Sequence, residues 1–90
     1  MAIVYIPSLL RKYADGRESV NVEGRTVARL VENLGRQYPD LIGHLVEDGA
    51  LKSSIAVSVD GEVALDGMLE PVRPDSEVHF LPAISGGAAS

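Results

Sequence analysis

The apolar positions of this 90-residue chain change their spacing along its length, and each change marks an element. Ala2 to Ile6 (AIVYI) is apolar and β-branched. Alternation puts Val4 and Ile6 on one face of a strand and Ile3 and Tyr5 on the other, and Pro7 stops it. Ser8 to Tyr13 (SLLRKY) is too short to declare a helical period; with Asp15-Gly16 behind it, it reads as a broad turn. Glu18 to Val22 alternates again, with Val20 and Val22 on one face, so the first two strands form a hairpin with a wide loop. From Val27 the spacing lengthens. Val27, Leu30, Val31, Leu34 and Tyr38 make one stripe of an amphipathic helix, with Arg29, Glu32, Asn33 and Arg36 on its polar face. Thr26 is placed to cap this helix, Gly35 weakens it, and Pro39 ends it near Tyr38. Thirteen residues of helix, Thr26 to Tyr38, span roughly 20 Å, enough to cross a small sheet once.

Asp40 to Val46 (DLIGHLV) is short and interrupted by Gly43, which suits about one helical turn. Glu47 to Ser53 reads as loop. Ile55, Val57 and Val59 alternate with Ala56 and Ser58 as a strand, and Asp60-Gly61 is a hairpin turn returning through Glu62-Val63-Ala64. Asp66-Gly67 and Pro71 to Pro74 mark further turns. Glu77 to Leu81 is the last strand, Val78 and Phe80 facing in and His79 out. The order is β-β-α-(turn)-β-β-β. The first and last strands are the most apolar, so they belong at the centre, side by side and parallel. One main helix then covers one face of a mixed sheet of four to five strands. The expected fold is α+β, a β-grasp.

Composition narrows the function. With 46% hydrophobic residues the chain can build a core, and few aromatics (Tyr5, Tyr13, Tyr38, Phe80) leave that core to Val, Leu and Ile. Ninety residues make one domain, expected over residues 1–84, followed by a flexible tail over residues 85–90. A net charge of −5 repels phosphate backbones, so nucleic acid is not an expected partner. The chain has no Cys, which removes disulfides, thiolate metal sites and a cysteine nucleophile. His44 and His79 sit on different elements with no ligand-spaced partner, so no metal is expected. Asp60, Asp66 and Asp75 are explained by turns, and Arg11 and Lys12 by a solvated loop. No paired carboxylates or Ser-His-Asp arrangement is identifiable, so the chain is not expected to be an enzyme. Neither a signal peptide nor a membrane span is recognisable, which makes a cytoplasmic location the expectation and a membrane partner unexpected.

The chemistry concentrates at the end, in Leu81-Pro82-Ala83-Ile84-Ser85-Gly86-Gly87 followed by Ala88-Ala89-Ser90. A Gly-Gly pair has no Cβ and threads a slot too narrow for any side chain, which suits a chain end that must enter an active site. Seven extended residues from Leu81 to Gly87 span roughly 23 Å, enough to leave a domain and enter a deep pocket. Ile3, Tyr5 and Leu81 fall on the sheet face opposite the helix, where the chain supplies no cover. An uncovered apolar patch points to a partner.

IPSLLRKYADG after the first strand, GRTVARLVENL at the helix, VSVDGE at the hairpin and PDSEVHFLPAISGG at the end together resemble a known family. It is that of the ubiquitin-like sulfur carriers related to the small subunit of molybdopterin synthase and to the thiamin-pathway sulfur carrier. The resemblance covers Ala2 to Gly87. FLPA and IPSLLR look most similar to the actinobacterial branch that supplies sulfide for cysteine synthesis. The resemblance implies that an E1-like enzyme adenylates the Gly87 carboxylate with its own ATP, that a sulfur donor displaces AMP, and that the resulting thiocarboxylate gives its sulfur to an acceptor enzyme. The acceptor would be cysteine-synthase-like or the large subunit of molybdopterin synthase. It further implies that Gly86 is the slim neighbour of Gly87, that Ile84 and Ser85 are part of the arm, that Leu81, Tyr5 and Ile3 dock the partner, and that the chain itself binds no cofactor. The same tail would serve a molybdopterin synthase small subunit, or a protein modifier forming isopeptide bonds. Family members usually end at the glycine pair. Here either a peptidase, such as a metalloprotease, removes Ala88 to Ser90, or those residues are not native; a third alternative is an interaction module without tail chemistry.

Overall fold

The computed structural model describes residues 1–82. Strands β1 (Ala2–Tyr5), β2 (Ser19–Val22), β5 (Ile55–Val59), β6 (Glu62–Val63) and β7 (Glu77–Pro82) form one five-stranded sheet in the order β2-β1-β7-β5-β6. As the apolar pattern requires, β1 and β7 lie side by side and parallel, Val4 opposite Val78 and Tyr5 opposite His79. β2 closes antiparallel on β1 and β5 on β7, giving the mixed sheet of a β-grasp fold.

Helix α1 (Val27–Gln37) crosses one face, and its start is fixed by the Thr26 hydroxyl, which accepts from the Arg29 N–H at 3.2 Å. Its stripe Val27, Leu30, Val31 and Leu34 is buried against Ala2, Val4, Val20, Val22, Val57, Val78 and Phe80 from the inner sheet face. A single turn, α2 (Pro39–Ile42), follows and buries Leu41. Gly35 owes its place to that turn: a Cβ there would lie 2.7 Å from the Ile42 Cγ1, so the missing side chain lets α2 fold back on α1.

Two expectations are corrected. Ser8–Ala14 is a 3-10 helix rather than a broad turn, with Ala14 buried beneath it. The stretch read as loop from Glu47 carries a small hairpin, β3 (Val46–Glu47) and β4 (Ala50–Leu51), turning on Asp48 and Gly49 with positive φ at both. Strands of two residues are too short to show alternation. No helix among the described residues is long and apolar enough to cross a membrane.

The Asp60-Gly61 turn joins β5 to β6 with positive φ at both residues, as a two-residue hairpin demands. Asp60 also fastens the start of β7. Its carboxylate accepts from the Glu77 N–H at 2.9 Å and from the Ser76 hydroxyl at 2.8 Å. The Glu77 N–H first, then the Ser76 hydroxyl and the nearby Arg73 charge, hold the Asp60 carboxyl below its ordinary value of 3.8. A lowered folded value stabilises the domain above the unfolded value, and that contribution is lost as pH falls through the folded one. Asp60→Asn, which keeps the turn's tolerance of positive φ, should therefore melt lower than wild type near neutral pH. The gap should close as pH drops below 3.8. Circular-dichroism melts across pH check this; a gap independent of pH would mean that the charge contributes nothing.

Candidate functional site

The register of the strands builds the face opposite α1. Tyr5 of β1 lies beside His79 of β7, which pairs across to Ser58 of β5, and Ile3 lies beside Glu77; Leu81 pairs with Ala56, and Ser58 with Val63 of β6. Alternation sends Val4, Val78, Phe80 and Val57 inward, so these partners all point out. Ile3 and Tyr5 are half-buried, Leu81 is 39% exposed and Val63 is 61% exposed. The Tyr5 and His79 rings stack face to face, centroids 4.3 Å apart and planes within 4°. The result is a band in which Ile3, Leu81 and Val63 surround the Tyr5–His79 pair, with Glu77 beside Ile3 and the buried Ser58 beside His79.

The three sheet residues expected to dock a partner thus share one face, Tyr5 level with His79 and Ile3 level with Glu77, four positions along β7 from Leu81. Leu81 belongs to the last strand, as its alternation implies, but the arm counted from Leu81 begins later than expected, since pairing continues to Pro82 opposite Ile55. Proline has no N–H to give a neighbouring strand, which suits the last paired position. Ile84, Ser85, Gly86 and Gly87 lie outside the described residues. His79 was expected to face out but not to take part; its partnership with Tyr5 needs the parallel β1–β7 register, which no local pattern reports. Ala56, Ser58 and Val63 extend the band; Ala56 and Ser58 were legible only as the positions alternating with Ile55, Val57 and Val59, and Val63 only as part of the hairpin's return. Among the described residues no group of three or more His, Cys, Asp or Glu is placed to hold a metal ion.

Residues 4–87 match the ThiS family. The chain belongs to that family. Within it, the match runs through Gly87, the second glycine, and stops short of Ala88. This ThiS-family chain is 30% identical over 89 residues to sulfur carrier protein CysO of Mycobacterium tuberculosis, covering 93% of this chain and 96% of that one. It is 34% identical over 64 residues to small archaeal modifier protein 3 of Haloferax volcanii, covering 69% of this chain and 70% of the other. Among solved structures, a chain of the Amycolatopsis orientalis BexX/CysO complex superposes with a TM-score of 0.88 at 28% identity, covering 97% of this chain and 100% of that one. The ThiS-family chain is therefore homologous to sulfur carrier proteins and shares their fold.

The band makes a direct prediction. Central apolar and aromatic side chains carry most of the energy of an interface, whereas truncating a half-exposed side chain costs the fold little. Tyr5→Ala and Leu81→Ala should each keep folding stability within about 1 kcal/mol and weaken binding to a protein partner that docks on this face by about tenfold or more. Calorimetric titration checks this; unchanged affinity in both variants would remove the band from the interface.

Proposed function

We propose that the protein is a sulfur carrier, a protein co-substrate rather than a catalyst, working in the cytoplasm with sulfur riding on Gly87. The observation that carries this reading is the family match ending on the second glycine of the pair. Once Ala88 to Ser90 are removed, the Gly87 carboxylate attacks the α-phosphate of an ATP held by an E1-like enzyme. Acyl-adenylate forms and pyrophosphate leaves. A sulfide donor then attacks the acyl carbon, AMP departs, and a thiocarboxylate remains for an acceptor enzyme of cysteine synthesis or of another sulfur-containing metabolite. The band around Tyr5 and His79 docks the domain, and the chain leaving β7 after Pro82 reaches the nucleotide site. A protein face as partner is supported by the related chain having been solved as a complex with BexX.

The test is direct. A chain ending at Gly87, incubated with the matching E1-like enzyme, ATP and a sulfide donor, should gain the mass of sulfur exchanged for one terminal oxygen. No exchange with any cognate enzyme would remove the carrier reading. The likeness to small archaeal modifier protein 3 supports a second reading, isopeptide attachment of Gly87 to lysines of other proteins. Conjugates of higher mass that resist thiol and boiling would favour it.

A further inference from the structure

The tail leaves a domain of net charge −5, yet the described residues around its exit carry three cations with no carboxylate within ion-pair distance. Arg11 lies on the β1 side. Its Nε donates to the Ile6 carbonyl at 3.1 Å, one residue beyond the strand that runs parallel to β7. Lys52 lies on the β5 side: its carbonyl accepts from the Ile55 N–H at 2.9 Å, and Ile55 is the partner of Pro82, the last paired residue of β7. Lys12 completes the set. Its Nζ sits 5.3 Å above the Tyr13 ring, Tyr13 stacks on His44 at 4.2 Å, and the neighbouring Leu45 carbonyl accepts from the Lys52 N–H at 2.9 Å. Lys12 and Lys52 are the only lysines of the chain. The bond to Ile6 and the stack on Tyr13 hold two of the cations by the domain surface rather than leaving them on free stems. At the opposite end of the sheet acidic groups outnumber the cation present, with Asp60, Glu62, Asp75 and Glu77 around Arg73 near the start of β7.

We propose that Arg11, Lys12 and Lys52 form a cationic collar around the tail exit that docks against an acidic rim at the mouth of the partner's nucleotide pocket. This rests on the carrier reading and adds to it the partner's surface chemistry and a positioning role. An acidic domain must bring a carboxylate up to the phosphates of ATP, a like-charge approach that its overall charge opposes. A collar of opposite sign at the leading end lowers that barrier to encounter and sets the direction in which the tail is presented. Such charges act on association more than on the chemical step, and salt screens them.

The experiment uses chains ending at Gly87 in ATP–pyrophosphate exchange with the matching E1-like enzyme. Lys12→Glu/Lys52→Glu should raise the KM for the carrier by about tenfold or more at low ionic strength, with kcat at saturation unchanged and the gap closing in high salt. Arg11 is left intact so that its bond to Ile6 is not disturbed. The control is Arg29→Glu/Arg36→Glu on the exposed side of α1, where the side chains are 62% and 76% exposed, with the same change in net charge. Its KM should stay within about twofold of wild type if the effect is local. A lysine variant with wild-type KM overturns the collar, as does a helix variant that loses as much. A wild-type chain that never exchanges removes the carrier reading, and the collar with it; an active wild type with an insensitive lysine variant removes the collar alone.

Discussion

On the carrier reading, a chain ending at Gly87 is expected to support ATP–pyrophosphate exchange with an E1-like enzyme, and the chain carrying Ala88, Ala89 and Ser90 is expected to support none. The reason is chemical. Attack on the α-phosphate needs a free carboxylate on the second glycine, and a peptide carbonyl in its place is not a nucleophile. On the same reading the three added residues also bring Cβ atoms to a channel expected to admit only glycine. A third chain, truncated at the same point but with Gly87→Ala, separates the two effects: it has the carboxylate and adds only one methyl group. It should exchange poorly, at about one hundredth of the truncated wild type or less, if the channel that receives the tail is as narrow as the glycine pair implies. Exchange by the full-length chain, with its mass unchanged at the end of the assay, would show that trimming is unnecessary.

The second large effect concerns the core. Val57 is 2% exposed on the inner face of β5, opposite Phe80 of β7, in the middle of the widest pairing in the sheet. Val57→Asp should leave the domain unfolded at room temperature. No cation of the described residues is buried near enough to pair with the new carboxylate, since the buried polar side chains there are Ser58 and Ser76. Burying an unpaired carboxylate, or protonating it to avoid doing so, costs several kcal/mol, against a total stability of about 5–15 kcal/mol for a domain. Loss of the cooperative thermal transition, followed by circular dichroism, is the expected readout. A melt near the wild-type temperature would mean that the strand faces have been assigned the wrong way round.

Both faces of every long strand were legible because a period of two needs only four or five residues to show itself. Val20 and Val22, Val78 and Phe80 all point where alternation puts them. The helix was legible from five apolar residues and two punctuation marks, Thr26 and Pro39, and its observed cap is that threonine. What escaped lacked a period or depended on distant register. Ser8–Ala14 is a 3-10 helix whose three-residue repeat matches neither template. β3 and β4 pair over two residues each. Gly35 reads locally as a weak point in the helix, and only the position of Ile42 explains it. Asp60 reads as a turn residue, which it is, but its bonds to Ser76 and Glu77 span sixteen and seventeen positions of sequence. The candidate surface divides in the same way. Ile3, Tyr5 and Leu81 follow from alternation, whereas the stacking of Tyr5 on His79 follows from which two strands are neighbours.

The parallel pairing of β1 with β7 also sets when the domain can exist during its synthesis. The second strand needed at the centre comes after every other described strand in the sequence, so Ile3 waits for Glu77 and Val57 waits for Phe80. Until that stretch emerges, β1 and β5 have nothing between them, and the inner faces that α1 must cover are split in two. Contacts so far apart in sequence form late and all together, which makes partial versions of the fold unstable. The glycines follow within a few residues of the strand that completes the sheet. A nascent chain therefore completes its sheet only shortly before its glycine pair is made, and on the carrier reading that pair is presented by a finished domain.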